Sequence, residues 1–146
     1  MSILRIAVVV GLSMAAAAGC ARHVTTTEAS LYDRLGGKPA ITAVVGDFLQ
    51  KVGSDSRIQH QPAPERVPVL AANLVDLVCQ ATGGPCEYQG RPMKAAHAGM
   101  GISGDEFDAV VDDLVQTLDH YKVPAREKNE LLALLAPMRE DIVETR

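Results

Sequence analysis

The 146-residue chain has no Trp, two Phe and three Tyr. A core of aromatic-rich stacked strands is therefore out of reach. Aliphatic residues and Ala must fill the interior, which suits helix packing. No run alternates with period two for long enough to make a strand. Lys and Arg form no cluster and the net charge is −4, so no nucleic-acid partner is expected. No repeat of solenoid period is visible. No Cys-x-x-Cys occurs, which argues against a structural zinc site. What remains is one domain's worth of chain, 15.5 kDa, long enough to bury a core.

The first nineteen residues read as a signal peptide rather than as part of the fold. One Arg precedes a thirteen-residue apolar stretch, Ile6 to Ala18, which is too short to span a bilayer. Ala17-Ala18-Gly19-Cys20 resembles a bacterial lipobox, in which Cys20 becomes the lipidated N-terminus. An ordinary secretory signal cut near Ala18 is the alternative. Acylation at Cys20 would tether the protein to a membrane. The expected place is outside the cytoplasm, periplasmic or anchored at the outer membrane. Residues 20–29, polar and Thr-rich, then read as a flexible tether, and residues 30–146 as the folded domain. An oxidising compartment also favours pairing Cys79 with Cys86, which would pin the end of one helix to the next turn. Two free thiols are the other reading.

Helical spacing organises the rest. Ser30 to Leu35 makes one or two turns stopped by Gly36-Gly37. A helix starts at Lys38-Pro39, with Ile41, Val44, Val45, Phe48, Leu49 and Val52 on its apolar side, and Gly53 to Ser56 breaks it. Residues 57–64 carry two prolines and read as a loop. A second helix spans about residues 65–82. One face carries Val67, Leu70, Leu74, Leu77 and Ala81, with Ala71, Val75, Val78 and Cys79 beside it, and Pro68 must lie in the first turn. Gly83-Gly84-Pro85 ends it.

Met93 and His97 share one face of a short helix stopped by Gly99 and Gly101. Ser103 and Glu106 have the spacing of a capping box ahead of Phe107, Val110, Val111, Leu114, Val115 and Leu118. A last helix, interrupted at Pro137, turns Leu131, Leu134, Leu135, Met138 and Ile142 inward.

Several of these stretches resemble the group I truncated haemoglobins, small bacterial globins with a two-over-two helical sandwich. The resemblance rests on SLYDRLGG, on VVGDF, and above all on GGP followed by Tyr88-x-Gly90-x-Pro92-Met93-Lys94, His97 and a Gly-containing turn into Ile102 and Phe107. It covers roughly residues 30–143 and implies an all-α, globin-like fold holding haem b. It implies His97 as proximal iron ligand and a pocket of Phe48, Leu49, Leu70, Leu74, Val78, Tyr88, Met93, Met100, Ile102, Phe107 and Val111. The diatomic gases oxygen, nitric oxide and carbon monoxide are the implied ligands.

The departures fall on the far side of the iron. Leu49 stands where the family commonly has Tyr, and Leu70 and Leu74 where it often has Gln. Pro62 and polar neighbours replace its bulky Phe pair. A hydrogen bond to a polarised bound ligand is worth ~1.5–3 kcal/mol, so its absence weakens oxygen retention roughly ten- to a hundredfold. An oxygen-dependent nitric oxide dioxygenase would also lack its distal acid or base. His60 is expected to be a solvated loop residue, leaving ferrous iron five-coordinate rather than taking His60 as a sixth ligand. A globin-fold envelope lipoprotein with weak or lost haem binding is the competing reading. The redox partner is left open.

Overall fold

The computed structural model describes residues 28–144. The proposed signal segment, Cys20 and all but the last two residues of the tether lie outside them. Seven α-helices follow: α1 (Leu31–Arg34), α2 (Gly37–Val52), α3 (Val67–Ala81), α4 (Met93–His97), α5 (Gly104–His120), α6 (Ala125–Leu135) and α7 (Arg139–Ile142). Single 3₁₀ turns, Pro64–Arg66 and Ala136–Met138, lead into α3 and α7. No strand forms among the described residues.

Local chemistry sets the boundaries. Ser30 Oγ accepts the Asp33 N–H at 3.1 Å, starting α1. Gly36 then takes φ +94°, a left-handed position that suits glycine, and redirects the chain into α2. Residues 64–66 wind as 3₁₀ rather than joining α3, because Pro68 in its first turn lacks the N–H that would extend the ladder back. The same chemistry at Pro137 divides the last helix.

Helix α2 is the hub, packing on both α3 and α5. Its Ile41, Val45 and Leu49 meet Val75 and Cys79 of α3. Val52 joins Ile58 and Ala109 of α5. A separate cluster of Leu31, Leu118 and Leu131 ties α1, α5 and α6 together. On α3 the deepest residues, Val75 and Cys79, belong to the flank of the apolar stripe, while Leu70, Leu74 and Leu77 remain half-buried. The wider part of that stripe faces an internal cavity instead of the core. Leu134 departs from its expected inward position and is 44% exposed. It lines a surface depression with Leu31, Thr82 and Glu130 and does not join the Leu31–Leu118–Leu131 cluster.

Candidate functional site

His97 is the last residue of α4. Its ring Nδ1 lies 2.8 Å from the Met93 carbonyl oxygen, one turn back. A carbonyl can only accept, so Nδ1 carries a proton and, in the neutral ring, Nε2 keeps its lone pair. Helical spacing thus supplies both the orienting acceptor and the tautomer. Beyond His97 the chain leaves the helix at Ala98, and Gly99 and Gly101 take φ of +77° and +70°. The amides of both glycines donate to Glu144, and these two bonds hold its carboxyl below the usual carboxylate range.

The His97 ring lines a cavity of about 830 Å³, within the range of ~300–1,000 Å³ typical of small-molecule and cofactor sites. Phe48 and Leu49 of α2, with Leu70, Leu74 and Val78 of α3, form one wall. Tyr88, Met93, Met100, Ile102, Phe107 and Val111 complete the set of residues singled out from the sequence, and all of them line this one space. The lining is predominantly aliphatic. At Leu49, Leu70 and Leu74 no side chain offers a hydrogen-bond donor.

Other lining residues escaped the sequence reading. Arg66, Asn73 and Leu77 fall with Leu70 on one helical face of α3 and its lead-in turn, so their spacing was a usable signal. Arg91 sits in the loop before α4, where Tyr88 donates its hydroxyl to the Arg91 carbonyl at 2.9 Å. A Cβ at Gly90 would lie 2.2 Å from that hydroxyl, so a larger residue there would push the Tyr88 side chain aside. Arg66 and Arg91 are exposed cations at the rim of the cavity.

His60 is an exposed loop residue, as expected, but it also lines the cavity and is held by Glu106. Its Nδ1 is 2.9 Å from Glu106 Oε1, and the same oxygen accepts the His60 and Gln59 backbone N–H groups at 2.7 and 2.8 Å. The capping box at the start of α5 is consequently half made. Ser103 Oγ accepts the Glu106 N–H at 3.2 Å, but the Glu106 carboxylate turns to the 59–60 amides instead of returning to Ser103. Burial would raise the Glu106 carboxyl, yet the bonds from His60 and Gln59 hold it below the usual range. Further along α5, burial pushes the Asp113 carboxyl up, and its Oδ2 has no hydrogen-bond partner.

Cys79 and Cys86 are joined as a disulfide, with Cα atoms 5.7 Å apart. The bond links the end of α3, one wall of the cavity, to the segment leading towards α4. Gly84 is packed inside this loop, where an added Cβ would stand 2.5 Å from the Tyr32 ring and 2.7 Å from Cys79 Sγ.

The model of the bacterial-like globin family matches residues 30–144. A group 1 truncated hemoglobin of Mycolicibacterium paratuberculosis is 34% identical over 122 residues, 84% of this chain and 90% of the relative. One from Synechocystis is 36% identical over 99 residues, 65% and 80% of the two chains. Among solved structures, the truncated hemoglobin of Tetrahymena pyriformis in its Fe(III) form superposes with a TM-score of 0.75 at 30% identity, covering 80% of this chain and 100% of that one. The 2/2 hemoglobin of a Synechococcus gives 0.73 at 30% identity, covering 79% and 98%. The all-helical architecture and these likenesses agree, and the chain belongs to the bacterial-like globins, as a group 1 truncated haemoglobin with the two-over-two helical fold.

Proposed function

We propose that this globin binds haem b in the cavity beside α4, where His97 Nε2 would hold the iron, and that the bound haem would take up a diatomic gas. The observation that carries the reading is the His97–Met93 bond, which fixes the ring and leaves Nε2 bare towards an apolar space. The aliphatic walls suit the porphyrin faces, and Arg66 and Arg91 offer cations to its carboxylates at the rim. Bound haem iron supplies an open coordination position for the gas. Leu49, Leu70 and Leu74 exclude water from that side but donate no hydrogen bond. Nitric oxide and carbon monoxide, which depend less on such a bond, suit this pocket better than oxygen. Five-coordinate ferrous iron is expected, and a six-coordinate low-spin ferrous spectrum abolished by His60→Ala would overturn it, since the Glu106 bond to Nδ1 leaves His60 Nε2 unengaged.

Hemin titration of the purified protein tests the reading. Wild type should develop a Soret band at one equivalent, and His97→Ala should lose or displace it. Wild-type protein that stayed colourless with excess hemin would refute it.

The tether is a second part of the proposal, resting on Ala17-Ala18-Gly19-Cys20. No helix among the described residues is long and apolar enough to cross a membrane. Lipid on Cys20 would supply the anchor, placing the protein outside the cytoplasm, periplasmic or at the outer membrane. Labelling with a fatty-acid analogue should mark wild type and not Cys20→Ala; equal labelling of both would exclude it.

A further inference from the structure

The turn that follows His97 is held from a distance. Residues 98–101 are exposed, and a Cβ at Gly99 or Gly101 would meet nothing within 4 Å. Packing therefore does little to fix this turn, and its glycines answer to backbone angle rather than to space. Hydrogen bonds do the holding. Within the turn, the Met100 N–H donates to the His97 carbonyl at 3.1 Å. From outside, Glu144 Oε1 accepts the Gly99 N–H at 2.7 Å and Oε2 accepts the Gly101 N–H at 2.6 Å. The Glu144 N–H returns to the Ile102 carbonyl at 3.0 Å. Helix α7, which packs against α4, delivers Glu144 to this place. One carboxylate thus spans two amides lying 45 and 43 residues away in sequence.

We infer that Glu144 is a positioning residue for the axial imidazole: by bridging the Gly99 and Gly101 amides it fixes the turn that closes α4, and so sets where His97 Nε2 stands over the cavity. The inference rests on the haem reading of that cavity. Nothing in it requires Glu144 to touch the cofactor. Its influence runs through the backbone of residues 97–101. Both oxygens are needed, since a carboxamide keeps one acceptor and a methyl keeps none.

The test compares wild type with Glu144→Gln and Glu144→Ala by two measurements. In haem-free protein, amide hydrogen exchange at Gly99 and Gly101 should speed up roughly tenfold or more in the Ala variant, less in Gln, with core amides of α2 and α5 unchanged. In hemin-loaded ferrous protein, the iron–histidine stretching frequency should shift in the same order. Haem loss to an excess of a scavenging apoprotein should accelerate roughly tenfold in Ala. Unchanged exchange at the two glycines would overturn the inference. So would faster exchange with a wild-type stretching frequency and rate of haem loss, since Glu144 would then brace the turn without positioning the ligand. Wild-type protein that took up no hemin would overturn the haem reading and this inference together, whereas a loaded wild type with unmoved variants overturns this one alone.

Discussion

Reduction of the Cys79–Cys86 bond should cost the fold about 2.5 kcal/mol. The bond closes a loop of eight residues, counting both cysteines. With that length the chain-entropy relation gives about −8 cal/mol/K of denatured-state entropy, or about 2.5 kcal/mol at 25 °C. For a domain of this size such a loss lowers the melting temperature by roughly 10 °C. The native state should change little, because Cys79 is fully buried against α2 and keeps its packing as a thiol. Urea and thermal unfolding followed by far-UV circular dichroism, with and without reductant, measure the difference directly. The haem-free protein is the cleaner subject, since ligand binding adds its own stabilisation. Oxidised and reduced curves that coincide within about 0.5 kcal/mol would refute the reasoning.

Three further outcomes follow from single contacts. Gly84→Ala would put a methyl 2.5 Å from Tyr32 and 2.7 Å from Cys79 Sγ, so it should destabilise by ~1–3 kcal/mol in the same melts. Glu106→Gln should lose about 1.5–3 kcal/mol at neutral pH, because the acceptor of the Gln59 and His60 amides is no longer charged. Since the folded Glu106 carboxyl is held below its ordinary value, its contribution is present above that value and fades as pH falls through the folded one, so wild-type and Gln variants should converge in acid. Leu74→Gln places an amide donor on the gas side of the cavity, and stopped-flow oxygen dissociation should slow roughly ten- to a hundredfold.

The sequence carried the helices well because α2, α3 and α5 each show an apolar stripe bounded by Pro, Gly or a Ser cap. It did not say which part of the α3 stripe meets the core. Leu70 and Leu74 are as apolar as Val75 and Cys79, and periodicity cannot distinguish a wall of packed side chains from a wall of a cavity. His97 stood out by its place in a specific motif, and its tautomer followed only once the Met93 carbonyl was located. The partners of Glu106 and Glu144 were out of reach. Each carboxylate finds its amides more than forty residues away, and an S-x-x-E spacing points to a local bond that Glu106 does not make. Leu134 shares an apolar helix with Leu131 and Leu135 yet lines a surface depression, which helical phase alone does not reveal.

The central claim is that His97 Nε2 is the iron's axial base, and chemical rescue tests it most directly. His97→Gly protein loaded with hemin should lack the wild-type ferrous Soret spectrum, and added imidazole should restore it by filling the vacated space beside Met93 and Ala96. A His97→Gly spectrum identical to wild type without imidazole would contradict the account.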